Sequence, residues 1–493
     1  MPLYKSDLSQ LLLTVSKVLT ANNYLAYIVG GFIRDWILGR MTEDIDLAVQ
    51  GDSLDIVKKI AGIIDGRYVL LDETNKVGRI VVVRNEQLWH LDFTMFSGAI
   101  RDDLARRDFT MNAMAVDLNE FVSGSFLILD PFSGETDLKN GLIKAVSSHI
   151  YKDDASRLLR AVRLAAELGF KIESGTEKLI KQDSCLVAQV PGEKLREELL
   201  RLLSLPDFSN LLIYLDKLSL LTEIIPEVGE MKEVEQPPEH YWDVFNHSVQ
   251  TVATVEFLLG ESKWFYGSKD LLGVIPWPED INHHFNEEIS NGSCRRNMLK
   301  LAALLHDVAK PHTKAIDSFG RMRFIGHPKL GAAISNEIMS RLRFSGREIK
   351  LVERLVYYHL RPAQMATIGL PSSRAIYRYF RDTEDDGVDI LLLAMADYLA
   401  TSGPELNLES WEQHNQLISY ILNEHYNQQA KVSPARLVNG HALMSFFNLT
   451  PGPLVGKLLD LVNEAQATGE ITTREEANDL VHRELQKECF SGY

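Results

Sequence analysis

Two aspartates separated by one residue are the strongest chemical feature near the start of this 493-residue chain. Asp44 and Asp46 lie in the run Asp44-Ile-Asp46-Leu-Ala-Val, whose alternation predicts a strand. On a strand, residues i and i+2 face the same way, so both carboxylates point together while Ile45 and Leu47 face the core. Adjacent carboxylates repel each other unless a cation lies between them, and Mg²⁺ is commonly held by one or two carboxylates plus substrate phosphates. The pair therefore predicts a magnesium site that handles phosphates; the alternative is a solvated strand face.

A glycine turn before this strand and a third carboxylate after it extend the prediction. Gly30 and Gly31 follow a predicted strand and precede a short helix, so the backbone can approach a ligand and helix N–H groups can meet a phosphate. Arg34 would add a charge-assisted contact, although a glycine pair alone often marks an ordinary tight turn. The alternating strand His90-Leu-Asp92-Phe-Thr could bring Asp92 beside the pair. Two metals held in this way can bring a hydroxyl to an α-phosphate and stabilise the leaving pyrophosphate.

The order of these motifs resembles a known family. Gly-Gly-Phe-Ile-Arg-Asp at 30–35, followed by Asp-Ile-Asp-Leu at 44–47, resembles the signature of the polymerase-β-type nucleotidyltransferases. Three later motifs resemble the class II tRNA nucleotidyltransferases, the CCA-adding enzymes, and their bacterial poly(A) polymerase relatives. They are Arg106-Arg107-Asp-Phe-Thr-Met-Asn112-Ala, Asp130-Pro-Phe-Ser-Gly134, and Asp153-Asp154-Ala-Ser-Arg157-Leu-Leu-Arg160-Ala-Val-Arg163. The resemblance covers about residues 24–172. The family's usual Glu is Asp153 here, which weakens only the inference about that position's supporting role.

The arginine-rich segment is predicted to recognise the nucleotide. Asp154 and Arg157 are spaced i and i+3 on a predicted helix, so they would share a face and offer an acceptor and a fork of donors. The resemblance implies that they select C or A without a nucleic-acid template. It also implies that Arg160 and Arg163 bind the nucleotide and that Arg107 contacts the triphosphate. The alternative is an i, i+3 salt bridge on a solvated helix.

Separated histidines and aspartates form a second chemical group in the later half of the chain. His306-Asp307 lies in a predicted helix over Met298–Lys310. The order of this pair and four further residues resembles the HD phosphohydrolase family: His247, His327, His359 and Asp397. The resemblance implies that His247, His306, Asp307 and Asp397 hold a divalent metal, and His327 with His359 could complete a second metal position. Imidazole and carboxylate ligands suit a transition metal or a mixed site with Mg²⁺. Some CCA-adding enzymes carry such a domain with phosphatase and phosphodiesterase activity, but the metal here could also be structural.

These motifs lie on a predicted α+β multidomain protein. Strands alternate with helices up to about residue 150, and helical patterns dominate thereafter. We expect a polymerase-β-like nucleotidyltransferase head with a mixed sheet over 1–150 and an all-α neck for base selection and RNA binding over 151–235. An HD domain over 236–403 and a helical tail over 404–493 would follow. The first residues predict an amphipathic helix, and residues 273–292 predict a loop.

The net charge of the chain hides an uneven distribution. Lys and Arg total 52 against 68 Asp and Glu, a net charge of −16, yet residues 295–361 hold fourteen basic and five acidic residues. Such a stretch could track an RNA phosphate backbone, keep the domain soluble, or serve the substrate of the HD site. Three widely separated cysteines argue against a disulfide framework, and no apolar run approaches the ~20 residues needed to span a bilayer. A cytoplasmic protein without a membrane partner is therefore predicted, and its oligomeric state is left open.

The sequence predicts addition of CCA, or part of it, to the 3′ end of tRNA from CTP and ATP, with release of pyrophosphate. Mg²⁺ would serve the head, and a divalent metal would occupy the HD site. A CC-adding enzyme, an A-adding enzyme and a poly(A) polymerase remain open, although no basic Gly-Arg-Arg-Phe-like run follows Asp46 as in the poly(A) branch. Two other classes remain: an HD phosphohydrolase with an inactive tRNA-binding N-terminal half, and a tRNA-binding scaffold with neither activity. The intact carboxylate pair and the arginine-rich helix favour an active transferase.

Overall fold

A computed structural model describes residues 6–51, 54–268, 271–272, 281–366, 369–430 and 437–490. The chain divides into two compact units. Unit 1 comprises residues 1–198 and 215–224, and unit 2 comprises residues 199–214 and 225–493. No helix in the described ranges is long and apolar enough to cross a membrane.

Unit 1 begins with a helix and a mixed six-stranded sheet. The expected amphipathic helix is present as α1, and the elements of this part are α1 (Ser6–Ala21), β1 (Ala26–Val29), α2 (Gly31–Ile37), β2 (Asp44–Gln50), α3 (Asp55–Ile63), β3 (Arg67–Asp72), β4 (Val77–Arg84), β5 (Gln87–Phe96), α4 (Ile100–Leu104), β6 (Ala115–Asp117) and α5 (Leu118–Ser123). The strand order is β3-β4-β5-β2-β1-β6. Strands β2 and β5 pair in parallel at the centre, and the other pairs are antiparallel. The mixed sheet confirms the expected fold of the head.

The rest of unit 1 is mainly helical. Its elements are α6 (Gly134–Lys139), β7 (Leu142–Ile143), α7 (Ile150–Asp153), α8 (Arg157–Leu168), β8 (Lys171–Ile172), α9 (Ser174–Asp183), α10 (Gly192–Leu203), α11 (Phe208–Lys217) and α12 (Leu220–Ile224). Helices α10 and α11 include residues of both units. Helix α8 buries one apolar face that includes Leu158, Leu159 and Val162, and it ends at Gly169 in the left-handed conformation.

The expected continuous helix through Asp154 is wrong. Asp154 follows α7 with φ −152° and ψ 103°, an extended conformation, and α8 begins only at Arg157. Its side chain explains the break, because Oδ1 accepts hydrogen bonds from the backbone N–H and the hydroxyl of Ser156. Short aspartate side chains compete for backbone donors in this way at helix starts.

Unit 2 is almost entirely helical. Its elements are α13 (Pro226–Glu230), α14 (Val244–Leu258), α15 (Ile281–Asn286), β9 (Glu288–Ser290), β10 (Ser293–Cys294), α16 (Arg295–Leu305), α17 (Lys310–Thr313), β11 (Lys314–Ile316), β12 (Met322–Phe324), α18 (His327–Arg341), α19 (Gly346–Tyr358), α20 (Arg361–Met365), α21 (Ser373–Thr383), α22 (Gly387–Ser402), α23 (Leu408–Ala430), α24 (Gly440–Phe447), α25 (Pro453–Ala467) and α26 (Arg474–Phe490). Helices α14, α16, α19 and α22 pack together and carry the core of the HD region. Helices α24 to α26 enclose a separate apolar cluster around Leu443 and Leu458.

Two expectations for unit 2 need correction. The helix predicted over Met298–Lys310 ends at Leu305, so His306 caps it and Asp307 lies in the following turn. The turn frees both side chains from helical spacing. The predicted loop over 273–292 lies outside the described residues up to 280, and beyond it the chain forms α15 and β9.

Candidate catalytic and metal sites

Strands β2 and β5 place the three predicted carboxylates of the head on one face of the sheet. Asp46 is the direct register partner of Asp92, and Asp44 is the partner of His90. The alternation of β2 buries Ile45 almost completely and leaves Asp44 exposed, as its pattern predicts. His90 Nδ1 lies 3.0 Å from Asp44 Oδ1. The sequence therefore located the carboxylates correctly, and the sheet supplies the common face.

An arginine on β4 holds the third carboxylate. Arg79 is the antiparallel partner of Asp92 and donates to both of its oxygens, at 2.6 and 2.7 Å. The hydrogen bond to Asp92 raises the pKa of Arg79, and the charges of Asp44 and Asp46 raise it further. The Arg79 guanidinium therefore interacts electrostatically with all three carboxylates. Sequence reasoning missed Arg79, because only the register of β4 against β5 places it opposite Asp92.

The glycine turn leaves space for a carboxylate and an arginine. Gly30 has φ +72°, and a Cβ on it would lie 2.6 Å from Asp46 Oδ2 and 2.8 Å from Arg107 Nη1. Burial raises the pKa of the Asp46 carboxyl, while Arg107 and a hydrogen bond from the Gly31 N–H lower it. Asp103 holds Arg107 at 3.2 and 3.3 Å. The turn, the carboxylate and the arginine therefore form one compact group.

The two residues predicted to select the base are held differently from the prediction. Asp154 and Arg157 form no shared helical face, since Asp154 is extended and accepts from Ser156. Arg157 donates to the carbonyl of Arg106 at 2.8 Å. Its guanidinium is therefore bound to the Arg106–Asn112 motif rather than to Asp154. The alternative of an Asp154–Arg157 salt bridge is not seen among the described contacts.

A chain of hydrogen bonds runs from the glycine-turn helix to α8. Arg34 pairs with Asp35 and donates to Asn112 Oδ1 at 2.9 Å. Asn112 in turn donates to Asp108, which forms an ion pair with Arg160 at 2.9 Å. Burial would raise the pKa of the Asp108 carboxyl, but Arg160 and the hydrogen bonds lower it. Asp108 lies inside the Arg106–Asn112 motif, but the presence of an aspartate there did not by itself distinguish a buried residue from a surface one.

Arg163 occupies a different environment from the other arginines. Its side chain is 6% exposed and pairs with Glu198 at 2.6 Å and Glu167 at 2.7 Å. A buried guanidinium with two carboxylate partners has no donor fork open to a ligand. The structure therefore gives Arg163 a packing role between α8 and α10.

In unit 2, three histidines face Asp307 with the same ring nitrogen, Nε2. Nδ1 of His306, His327 and His359 lies 2.9, 2.7 and 2.7 Å from the main-chain carbonyl three residues earlier. A carbonyl can only accept, so Nδ1 must carry a proton, and in the neutral ring Nε2 keeps its lone pair. Second-sphere bonds of this kind orient histidine ligands in metal sites.

Asp307 joins two groups of possible ligands. Its Oδ2 lies 3.1 Å from His306 Nε2 and 3.5 Å from His247 Nε2, while Oδ1 lies 3.3 Å from His327 Nε2 and 3.9 Å from His359 Nε2. Both triads bring their ligand atoms within 4.8 Å of one another.

Asp397 completes this cluster from α22. Its Oδ1 lies 3.0 Å from His247 Nε2, and His247 Nε2 lies 3.1 Å from His306 Nε2. Burial lowers the pKa of His359 to about 3 and also lowers that of His247, which keeps both rings neutral, as metal ligands must be. Burial would lower the pKa of His306 as well, but the Asp307 carboxylate raises it. Buried imidazoles converging on two carboxylates fit a divalent metal.

Two further residues contact this cluster and were missed by sequence reasoning. Lys310 Nζ lies 2.6 Å from Asp307 Oδ2 and donates to Gln236 Oε1 at 2.6 Å. The His240 ring lies 5.5 Å from that of His247, and burial lowers the pKa of His240 to about 4. Lys310 follows Asp307 by three residues, and this i, i+3 spacing is the signal in the sequence that could have identified it as a partner of Asp307.

Internal ion pairs neutralise most of the basic stretch over 295–361. At least ten of its fourteen basic residues pair with carboxylates: Arg295, Arg296, Lys300, Lys310, Lys314, Arg321, Arg323, Arg341, Arg354 and Arg361. Lys300 is fully buried against Glu256 and Glu261. Apart from Arg321 and Arg323, which share the single carboxylate of Asp317, the paired residues are largely structural, so the count of charges overstated the capacity of the stretch to track RNA.

Comparison with known proteins places these sites in a family. Three family models match: the poly A polymerase head domain over residues 26–144, a probable RNA- and SrmB-binding site of polymerase A over 169–231, and the HD domain over 244–402. The A-adding tRNA nucleotidyltransferase of Deinococcus radiodurans is 32% identical over 93% of this chain and 95% of its own length. The chain belongs to the tRNA nucleotidyltransferase family.

Other family members and one solved structure agree with this placement. The CC-adding tRNA nucleotidyltransferase of Thermus thermophilus is 31% identical over 92% of both chains. The Thermotoga maritima CCA-adding enzyme, solved with tRNA, aligns with a TM-score of 0.61 over 98% of this chain and 96% of its own, at 20% identity. That likeness shows a shared fold. The poly A polymerase head model spans all three carboxylates, and the HD model spans all six histidines and aspartates of the cluster around Asp307.

Proposed function

We propose that the head of this tRNA nucleotidyltransferase adds C, A or the whole CCA sequence to the 3′ end of tRNA from CTP and ATP, releasing pyrophosphate. The observation that carries this proposal is the register of Asp46 with Asp92, beside Asp44 and the Gly30 turn. Three carboxylates facing one side of a sheet need a cation to coexist, and a nucleoside triphosphate brings Mg²⁺ with it. The relatives' A-adding and CC-adding names leave the exact product open between the alternatives.

The proposed chemistry is attack of the tRNA 3′ hydroxyl on the α-phosphate. Asp44 and Asp46 would hold Mg²⁺, which supplies Lewis-acid stabilisation of the pentavalent phosphate when bound. Asp92, fixed by Arg79, would help to activate the hydroxyl. The bond from the α-phosphate to the bridging oxygen breaks as the new ester bond forms, and pyrophosphate leaves with both electrons of the broken bond. The hydroxyl proton would pass to the Asp92 carboxylate and from it to solvent.

The triphosphate and the base would be bound by residues on either side of the carboxylates. Gly30 and Gly31 would let the backbone approach the phosphates, and Arg34 and Arg107 would contact them, since both guanidiniums are already oriented by carboxylates.

Base selection is proposed for the start of α8. Asp154 and Arg157 would recognise the Watson–Crick edge, with Arg160 nearby. Their present partners, the Ser156 hydroxyl and a main-chain carbonyl, are neutral groups that a nucleotide base can replace. Arg163 would support this helix rather than touch the nucleotide.

The experiment offers three tRNA transcripts, ending before CCA, after C and after CC, with CTP and ATP separately and together. Sequencing the products separates the CCA-adding, CC-adding, A-adding and poly(A) readings. Asp44→Asn and Asp46→Asn should abolish addition, while Asp55→Asn, an exposed aspartate at the start of α3, should not. Addition by both site variants at the wild-type rate would refute the proposal.

A second activity is favoured by the cluster around Asp307. We propose that the HD region hydrolyses phosphate esters with a divalent metal held by His247, His306, Asp307 and Asp397. A second position would use His327, His359 and the other oxygen of Asp307. The alternative from another class, an HD phosphohydrolase with an inactive head, predicts this activity alone.

The test measures p-nitrophenyl phosphate and bis-p-nitrophenyl phosphate hydrolysis with Mg²⁺, Mn²⁺ or Ni²⁺ added to the chelator-treated protein. Hydrolysis that depends on metal and disappears in His306→Ala would support the proposal. Unchanged hydrolysis in that variant would point to a contaminant and refute it.

We further propose the division of labour that the motifs suggest: a head over 1–150, a neck over 151–235, an HD domain over 236–403 and a tail over 404–493. A cytoplasmic location is proposed on the free cysteines Cys185 and Cys294 and on the tRNA substrate.

A further inference from the structure

A β-hairpin beside the metal cluster carries exposed aromatic and basic side chains. Strands β11 and β12 pair antiparallel, with Lys314 opposite Phe324 and Ile316 opposite Met322. Gly320 has φ +77°, and Asp317 accepts hydrogen bonds from the backbone N–H groups of Phe319 and Arg321. The turn is therefore tight and its tip is well determined by its own sequence.

The hairpin and the residue after it expose large apolar side chains. Phe319 is 79% exposed, Ile316 is 62% exposed and Ile325, just after β12, is 83% exposed. The Arg321 guanidinium lies over the Phe319 ring, 5.2 Å from its centre. Large side chains exposed together in this way commonly mark an interaction surface.

The charge of the hairpin indicates which class of molecule it would bind. Residues 314–324 contain three basic residues and one acidic residue. Arg321 and Arg323 both bring Nε to the same oxygen, Oδ2 of Asp317, at 3.3 and 3.2 Å. One carboxylate cannot neutralise two guanidiniums, so the hairpin keeps positive charge beside its exposed ring. Cations and an aromatic ring side by side suit an RNA strand, whose phosphates meet the arginines while a base stacks on the ring.

The base of the hairpin is built into the metal cluster. The Phe324 carbonyl accepts the Nδ1–H of His327 at 2.7 Å, and the Phe324 ring lies 5.4 Å from Lys310 Nζ, which contacts Asp307. Any strand bound along the hairpin therefore lies next to residues of the HD site. We propose that residues 314–324 form an RNA-binding arm of the HD region, with a base on Phe319 and phosphates on Arg321 and Arg323.

This inference rests on the proposed tRNA substrate, so the test measures both. Fluorescein-labelled tRNA lacking CCA is titrated with the full-length protein by anisotropy at several KCl concentrations. Removing two phosphate contacts in Arg321→Gln/Arg323→Gln should flatten the slope of log affinity against log salt by about 1.4, the value for two contacts to a single strand. Phe319→Ala should weaken binding about tenfold, and Phe319→Trp, which keeps a stacking surface, should bind like the wild type.

The matched control removes equal charge elsewhere in the same unit. Arg347→Gln/Lys350→Gln changes two exposed cations of α19 and should leave the slope nearly unchanged. Equal effects of the two double variants would show a general charge effect and overturn the proposal. Unchanged tRNA affinity with altered sedimentation of the protein would instead identify a protein-contact surface, which also overturns it.

Failure of this inference is distinguishable from failure of the proposed function. If the wild type binds and extends tRNA while the hairpin variants behave like the control, only the arm is wrong. If the wild type neither binds nor extends any tRNA, the proposed function fails and the arm fails with it.

Discussion

Replacing Gly30 by alanine should damage catalysis much more than folding. A Cβ at this position would lie 2.6 Å from Asp46 Oδ2 and 2.8 Å from Arg107 Nη1, both at the ends of side chains that can move. The carboxylate oxygen must retreat by roughly 0.8 Å to reach the 3.4 Å at which ordinary van der Waals contact begins. A displacement of this size at a carboxylate proposed to hold Mg²⁺ should cost about 10–100-fold in the rate of nucleotide addition.

The expected loss of stability is smaller. Gly30 has φ +72° and ψ −141°, a conformation that is essentially restricted to glycine. Holding alanine there should cost about 1–3 kcal/mol in the free energy of unfolding of unit 1. The assay combines single-turnover addition to a labelled tRNA transcript with thermal unfolding followed by circular dichroism. The variant should remain folded at 25 °C while its addition rate falls.

Gly39→Ala provides the control. Gly39 also has a positive φ, +68°, but no atom lies within 4 Å of the position that its Cβ would take, so the substitution adds strain without touching the site. It should lower stability by about 1 kcal/mol and leave the addition rate within about threefold of the wild type. Full activity of Gly30→Ala would refute the reasoning, and so would an equal loss in Gly39→Ala.

Three further outcomes are expected. Arg79→Lys should lower the single-turnover rate about tenfold with little change in the KM for CTP, because one ammonium cannot hold both oxygens of Asp92; an altered KM alone would contradict this. Arg160→Gln should destabilise unit 1 at neutral pH, because Arg160 lowers the pKa of buried Asp108. That contribution is present above the ordinary aspartate pKa and is lost as the pH falls, so the two unfolding curves should converge in acid. Chelation should lower the thermal midpoint of the wild type but not that of His306→Ala; equal shifts would argue against a metal at this histidine.

The sequence predicted the candidate site residues better than it predicted the contacts that position them. Alternation in β2 correctly predicted that Asp44 and Asp46 share a face, because strand periodicity is a local property. Arg79 could not be predicted, since its pairing with Asp92 depends on the register of two strands, with the paired residues thirteen positions apart in sequence. The helix through Asp154 was predicted from the helical pattern of the segment, and the hydrogen bonds between Asp154 and Ser156 interrupt it.

The basic residues of 295–361 show the same limit of prediction from the sequence. The fourteen basic residues of 295–361 are correctly counted from the sequence, but their partners lie mostly outside the stretch, as with Arg341 and Glu227 or Arg354 and Glu384. Tertiary pairing decides whether a cation is available to a ligand. Composition therefore predicted the location of the charge and not its availability.

The position of Asp307 between the two triads would affect how metals bind to them. Its two oxygens face different triads, one with His306 and one with His327. A metal in the first triad would fix the carboxylate's orientation and withdraw electron density from the oxygen offered to the second. The two dissociation constants would then be linked thermodynamically, and a titration would follow a two-site coupled isotherm rather than two independent ones.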